Sequence, residues 1–131
     1  MKKLIILTVF MGSLTLSHLA HAEWTLVANS VSGASLYVDL DRLRKSDGKI
    51  YFWELTNYDR LSPQGYLSDK AYIMAECGPF RKKTLTLSFY QKKMARGSQP
   101  YEIKEPTKNW YYPSPNSMGE KGLNVVCNHK P

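Results

Sequence analysis

Cys77 and Cys127 are the chain's two thiols, and His18, His21 and His129 are its three imidazoles. Those five residues bound the chemistry the chain can support. His18 and His21 fall in an apolar N-terminal stretch that reads as a leader, which leaves His129 near the C-terminus. A lone imidazole in a tail makes neither a Ser-His-Asp triad nor a Cys-His pair nor a multi-His zinc site. No G-x-S-x-G, P-loop or dinucleotide fingerprint occurs, so no cofactor is expected. Asp39 and Asp41 in "VDLDRL" stand two apart and, on a strand, would share a face able to hold a cation. Turn chemistry favours another reading, with Asp39 ending a strand and Asp41 capping a tight turn. Glu54 and Glu76 fall on strand faces expected to be solvated, and no carboxylate pair stands out for glycosidase-like work. The expectation is a non-enzymatic protein, with a carboxylate enzyme the weakest of three readings.

The thiols point to structure instead. Cys77 closes "KAYIMAEC", where Ala71, Ile73, Ala75 and Cys77 alternate with Tyr72, Met74 and Glu76 as on a strand. Cys127 closes "NSMGEKGLNVVC". There Ser117 and Glu120 fit the S-x-x-E capping box, and Leu123, Val126 and Cys127 recur at helical spacing. Gly119 and Gly122 weaken that helix by ~1 kcal/mol each relative to Ala. A helix so short and glycine-bearing does not stand alone in water and must dock. Two cysteines allow a single intramolecular pairing, and both lie on apolar faces. A Cys77–Cys127 bridge would close a ring of about 50 residues and contribute ~4 kcal/mol in the chain-entropy model. The rival is a redox-active or intermolecular pair, for which the C-x-x-C spacing is missing.

A bridge needs an oxidising compartment, and the N-terminus supplies the route. Lys2 and Lys3 precede "LIILTVFMGSLTLSHLA", and "AHA" ends at Ala22. That is the n-region, h-region and small-residue cleavage site of a secretory signal peptide over residues 1–22. The alternative is a membrane anchor, but Gly12, Ser13, Ser17 and His18 interrupt a stretch already short for the ~20 residues of a span. No cysteine stands near the cleavage site, so the mature protein is not expected to be a lipoprotein. One domain over residues 23–131 remains, periplasmic or secreted to the cell surface. The full chain of 131 residues carries a formal charge of +7, and loses two of those charges with Lys2 and Lys3. In an exported protein such a balance suits anionic surfaces, glycans or acidic proteins rather than nucleic acid.

The mature chain reads mostly as strands: 23–30, 35–40, 50–58, 70–77 and 84–91, with 100–105 a weaker edge strand between Pro100 and Pro106. Residues 41–49 form a charged turn with Asp47-Gly48 as a hairpin signal. In "IYFWELTNY", Tyr51, Trp53 and Leu55 share one face, and Phe52, Glu54 and Thr56 the other. In "TLTLSFYQ", Leu85, Leu87 and Phe89 alternate with Thr84, Thr86, Ser88 and Tyr90.

Arg81, Lys82 and Lys83 precede that last strand, and Lys92, Lys93 and Arg96 follow it, with no acidic residue between. Opposite ends of eight strand residues lie ~25 Å apart, so these are two clusters rather than one patch. One reading is solvated turns; the other is an anionic ligand site. Nine Tyr and three Trp add aromatic surface of the kind found in binding sites. The candidate surface comprises Lys70, Tyr72, Arg81, Lys82, Lys83, Tyr90, Lys92, Lys93 and Arg96.

The ordered set "YVDLDRLRKSDGKIYFWELTNY", "LSDKAYIMAECGPFRKKTLTLSFYQKKMARG" and "WYYPSPNS" followed by "VVC" resembles the surface-adhesin protein E-like family across nearly the whole mature chain. The resemblance implies an α+β fold: a small antiparallel sheet of about six strands, with a C-terminal helix on one face tied by the disulfide. The family's founding adhesin is a dimeric lipoprotein that binds host matrix and serum proteins such as vitronectin and laminin. The resemblance therefore implies an adhesin-like module with a protein or anionic-glycan partner, and it allows a homodimer. A periplasmic accessory or envelope-stress protein without a host ligand is the second expectation.

Overall fold

The structure, a computed structural model, describes residues 23–98 and 101–130. The leader expected over 1–22, Pro100 of the weak strand, and positions 99 and 131 lie outside the described residues. The described residues form β1 (Trp24–Asn29), β2 (Ser35–Asp39), β3 (Arg44–Ser46), β4 (Lys49–Asn57), β5 (Ser68–Glu76), β6 (Arg81–Tyr90), β7 (Tyr101–Lys104) and α1 (Met118–Asn128). The strands pair antiparallel in the order β1-β2-β4-β5-β6-β7, and β3 pairs β4 beside that path. The expected α+β architecture is what the chain adopts, with β7 at an edge. The added strand is β3, inside the stretch read as a charged turn. Asp47 and Gly48 take left-handed φ of 50° and 73° and set Ser46 against Lys49. That is the geometry a two-residue hairpin needs.

Alternation on the nine-residue central strands β4 and β5 splits the sheet into two unlike faces. On one, Val38, Ile50, Phe52, Ala71, Ile73 and Ala75 pack with Leu123 and Val126 of α1 in a single buried cluster. Fully burying a Leu or Val contributes ~1.5–3 kcal/mol, so Leu123 and Val126 are the helix's main non-covalent hold. The covalent hold is the Cys77–Cys127 disulfide, with Cα atoms 5.8 Å apart. It joins the end of β5 to the last turn of α1.

Ser117 caps the helix by accepting the Glu120 backbone N–H at 3.1 Å. Only this half of the capping box forms, because the Ser117 N–H donates to the Ser114 carbonyl at 3.2 Å. Gly122 is not the weakness its propensity suggests. A Cβ there would sit 2.9 Å from Leu36 Cδ2 and 3.5 Å from Glu54 Oε1. The missing side chain is what lets α1 reach the sheet. At Gly119 the nearest neighbour of an added Cβ is at an ordinary 3.5 Å.

The two glycines should therefore respond in opposite senses. Gly122→Val overpacks the contact with Leu36 and should lower stability by ~1–3 kcal/mol. Gly119→Ala should raise it by up to ~1 kcal/mol through helix propensity. Denaturant titration of the two variants checks this; a Gly122→Val protein as stable as the parent would contradict the close approach.

Candidate functional site

The face of the sheet opposite α1 carries a row of aromatic and cationic side chains. Register puts Trp53 opposite Tyr72, Tyr51 opposite Met74 and Leu55 opposite Lys70. Trp53 and Tyr72 have ring centroids 4.8 Å apart, and Tyr51 and Tyr72 6.2 Å. Lys70 Nζ lies 4.9 Å from the Trp53 ring centroid and 5.8 Å from that of Tyr90. At the other end the Arg44 guanidinium lies 4.6 Å over Tyr51. Cations over aromatic faces gain ~0.5–1 kcal/mol when exposed, enough to orient them without neutralising them. Tyr51, Trp53, Lys70, Tyr72 and Tyr90 are all partly exposed.

The turn after β6 folds back over the Lys70 end of this face. Buried Asn57 accepts the Met94 N–H at 2.8 Å. Buried Ser68 donates to the Lys92 carbonyl at 2.6 Å and accepts the Ala95 N–H at 3.0 Å. Met94 and Ala95 both take positive φ, 61° and 54°, a conformation held only where neighbours over-determine it. The result is a cavity of about 460 Å³ lined by Trp24, Arg42, Lys70, Met94, Ala95 and Arg96, with Glu23 beside them. Fully buried Asp39 anchors Arg42, accepting both its backbone N–H at 3.2 Å and its side-chain Nε–H. So Asp39, rather than the exposed Asp41, is the turn-forming carboxylate, and the two do not share a site.

The family model for surface-adhesin protein E matches residues 24–128. The chain belongs to the surface-adhesin protein E family. Its fold is also similar to that of Haemophilus influenzae protein E in crystal form II, with a TM-score of 0.56 at 13% identity, over 82% of this chain and 88% of that one. At that identity the likeness is one of fold alone. Among curated proteins no sequence match was found.

Within this adhesin E domain the nine candidate residues separate. Lys70, Tyr72 and Tyr90 meet on the open face, and Arg96 joins Lys70 at the cavity. Lys92 and Lys93 are exposed on the turn and do not line that cavity. Lys83 stands at the register position of Met74 on the far end of the face. Arg81 is engaged: it bonds Glu76 at 3.0 Å and the Tyr112 hydroxyl at 3.3 Å, and stacks 4.2 Å over Trp110. Lys82 turns away from the open face into a nearly buried pair. Its Nζ donates to both Glu54 oxygens at 2.7 and 2.9 Å, and its side chain is 12% exposed. Glu54, expected on a solvated face, is 7% exposed on the α1 side. Burying this carboxylate is tolerated because Lys82 arrives from β6 to pair it, a partner 28 positions away.

Trp24, Arg42, Arg44, Tyr51 and Trp53 of this face and cavity are not among the residues expected from the sequence. Alternation did place Tyr51 and Trp53 together, and their shared face with Lys70 was the available signal. Arg42 and Arg44 carried none, since a charged turn looks the same whichever way it folds.

Beside the Lys82–Glu54 pair lies Asp69, opposite Thr56 and bonded by the Tyr58 hydroxyl. Burial pushes the Asp69 carboxyl up to about 6, against the pull of the Tyr58 and Thr56 hydrogen bonds; Glu54 adds to the rise and Lys82 opposes it. Burial, then the bond to Asp69, also pushes the Tyr58 phenol upward. A carboxyl raised in the folded state favours folding while protonated. Its contribution is complete below about pH 4 and is lost as pH rises through about 6. Asp69→Asn keeps an acceptor for Tyr58 and should be more stable than the parent at pH 7.5 by on the order of 2–3 kcal/mol. The difference should vanish near pH 4. Melting curves of the two proteins from pH 4 to 8 check this; parallel curves would contradict the raised carboxyl.

Proposed function

We propose that this chain is an exported, non-enzymatic, adhesin-like binding module whose domain begins at Glu23 after loss of the leader. It contacts host matrix or serum proteins or anionic glycans through the sheet face opposite α1. The observation that carries this reading is the partly exposed row of Tyr51, Tyr72 and Trp53, flanked by Arg44 and Lys70. Rings and cations brought together from three strands form a binding surface of the type in which aromatic residues and Arg dominate affinity. Membership of the adhesin family supports the same reading. The disulfide suits an oxidising, extracytoplasmic location.

The test pairs location with binding. Protease added to intact cells should digest the protein, and the purified protein should bind immobilised matrix preparations. Trp53→Ala and Tyr72→Ala should each weaken that binding by about tenfold or more, as truncated hot-spot aromatics do. Lys92→Ala/Lys93→Ala should leave it within about twofold, as rim charges do. Protection from protease on intact cells, or Trp53→Ala and Tyr72→Ala proteins that bind as the parent does, would overturn the reading.

A further inference from the structure

We infer that the cavity at the Lys70 end of the open face, together with the row leading from it, is a subsite for an anionic oligosaccharide bearing sulfate or uronate groups. The inference rests on the binding reading above and specifies its ligand.

Charge is the first argument. Arg42, Lys70 and Arg96 converge on one cavity of about 460 Å³. Arg42 is paired with buried Asp39, whereas Lys70 and Arg96 make no salt bridge among the described residues. Among the described residues Glu23 is the one carboxylate lining the cavity, and it is exposed. Two cations that line one cavity and form no salt bridge among the described residues favour an anion, and guanidinium suits the planar or tetrahedral oxyanions of carboxylate and sulfate.

Shape is the second. From the Lys70 level, at Leu55, to the Arg44 level, at Tyr51, is four strand residues. That spans ~13 Å, with Trp53 and Tyr72 between the two cations and Tyr51 beneath Arg44. Cation, aromatic platforms, cation is the order in which an acidic sugar polymer presents its groups: charged substituents at intervals, with C–H ring faces between them that stack on aromatic rings.

The backbone supplies the third. β4 and β5 are central strands with neighbours on both sides, so their amide and carbonyl groups are taken by the ladder. A bound peptide draws much of its affinity from main-chain hydrogen bonds at a sheet edge. The middle of this face offers none, and only side chains are available for recognition. An oligosaccharide read by rings and cations fits that surface better than an extended peptide does.

Arg96 reaches the cavity from the turn fixed by Asn57 and Ser68, whose positive-φ residues Met94 and Ala95 line it too. The turn is thereby a positioning device for the guanidinium.

Calorimetric titration of the exported protein with oligosaccharides of equal length tests this: a heparin fragment, a hyaluronan fragment and dextran, with an enzymatically deglycosylated matrix protein as a fourth arm. One or both acidic fragments should bind, more weakly as salt rises, and dextran should not. Binding of heparin alone would assign sulfate; binding of both would assign carboxylate as sufficient. Arg96→Ala and Lys70→Gln should each weaken binding by about tenfold or more, the loss expected for a charge-assisted bond. Lys93→Ala on the same turn should not. Arg96 is exposed, so its replacement leaves the fold intact. Binding of the deglycosylated protein without either acidic fragment would overturn the glycan inference and leave the binding reading standing. Binding of no arm would overturn both. Acidic-fragment binding indifferent to Arg96 and Lys70 would place the glycan elsewhere and overturn the site.

Discussion

A lone antiparallel sheet buries one face only if something is held against it, and here that is an eleven-residue helix carrying two glycines. Such a helix has too few turns to survive detached. It persists because Leu123 and Val126 enter the sheet's apolar cluster, Gly122 lets the backbone come close to Leu36, and Cys127 is bonded to the end of β5. The constraint has a consequence for the whole molecule. Among the described residues one helix covers one face, and the other face keeps its rings and cations partly exposed.

The two faces treat lysine oppositely. Lys82, on the α1 side, is drawn into a nearly buried pair with Glu54, with Asp69 and Tyr58 close by. Such a pair offers little net stability, yet removing either partner would strand a buried charge. Lys70, on the other side, rests on Trp53 and Tyr90 and keeps its charge free among the described residues. Identical side chains in neighbouring strands thus do different work, decided by which side of the pleat each one takes.

Alternation made much of this legible in advance. The faces of 50–58 and 70–77, the terminal helix with its Ser117 cap and the weak edge strand follow from local pattern, and the disulfide pairing from there being two cysteines. The misreadings have a shared physical origin. Glu54 looked solvated because its partner Lys82 lies 28 positions on, and no local pattern reports a pairing that only sheet register creates. Arg81 to Lys83 looked like one basic cluster, but strand alternation sends Lys82 to the α1 face and leaves Arg81 stacked on Trp110. Arg42 and Arg96 stand in two turns far apart in sequence that the fold brings to one cavity. Gly122 looked like a defect because propensity scales ignore what a Cβ would meet.

On the proposed function, ligands should meet the face opposite the helix. Chemical-shift mapping of the isotope-labelled protein, titrated with whichever ligand binds, tests it most directly. Perturbations should concentrate at Tyr51, Trp53, Lys70, Tyr72 and Arg96, with Leu123, Val126 and the α1 backbone unmoved. Perturbations concentrated on α1 or on the β7 edge, with the Trp53 indole unshifted, would contradict it.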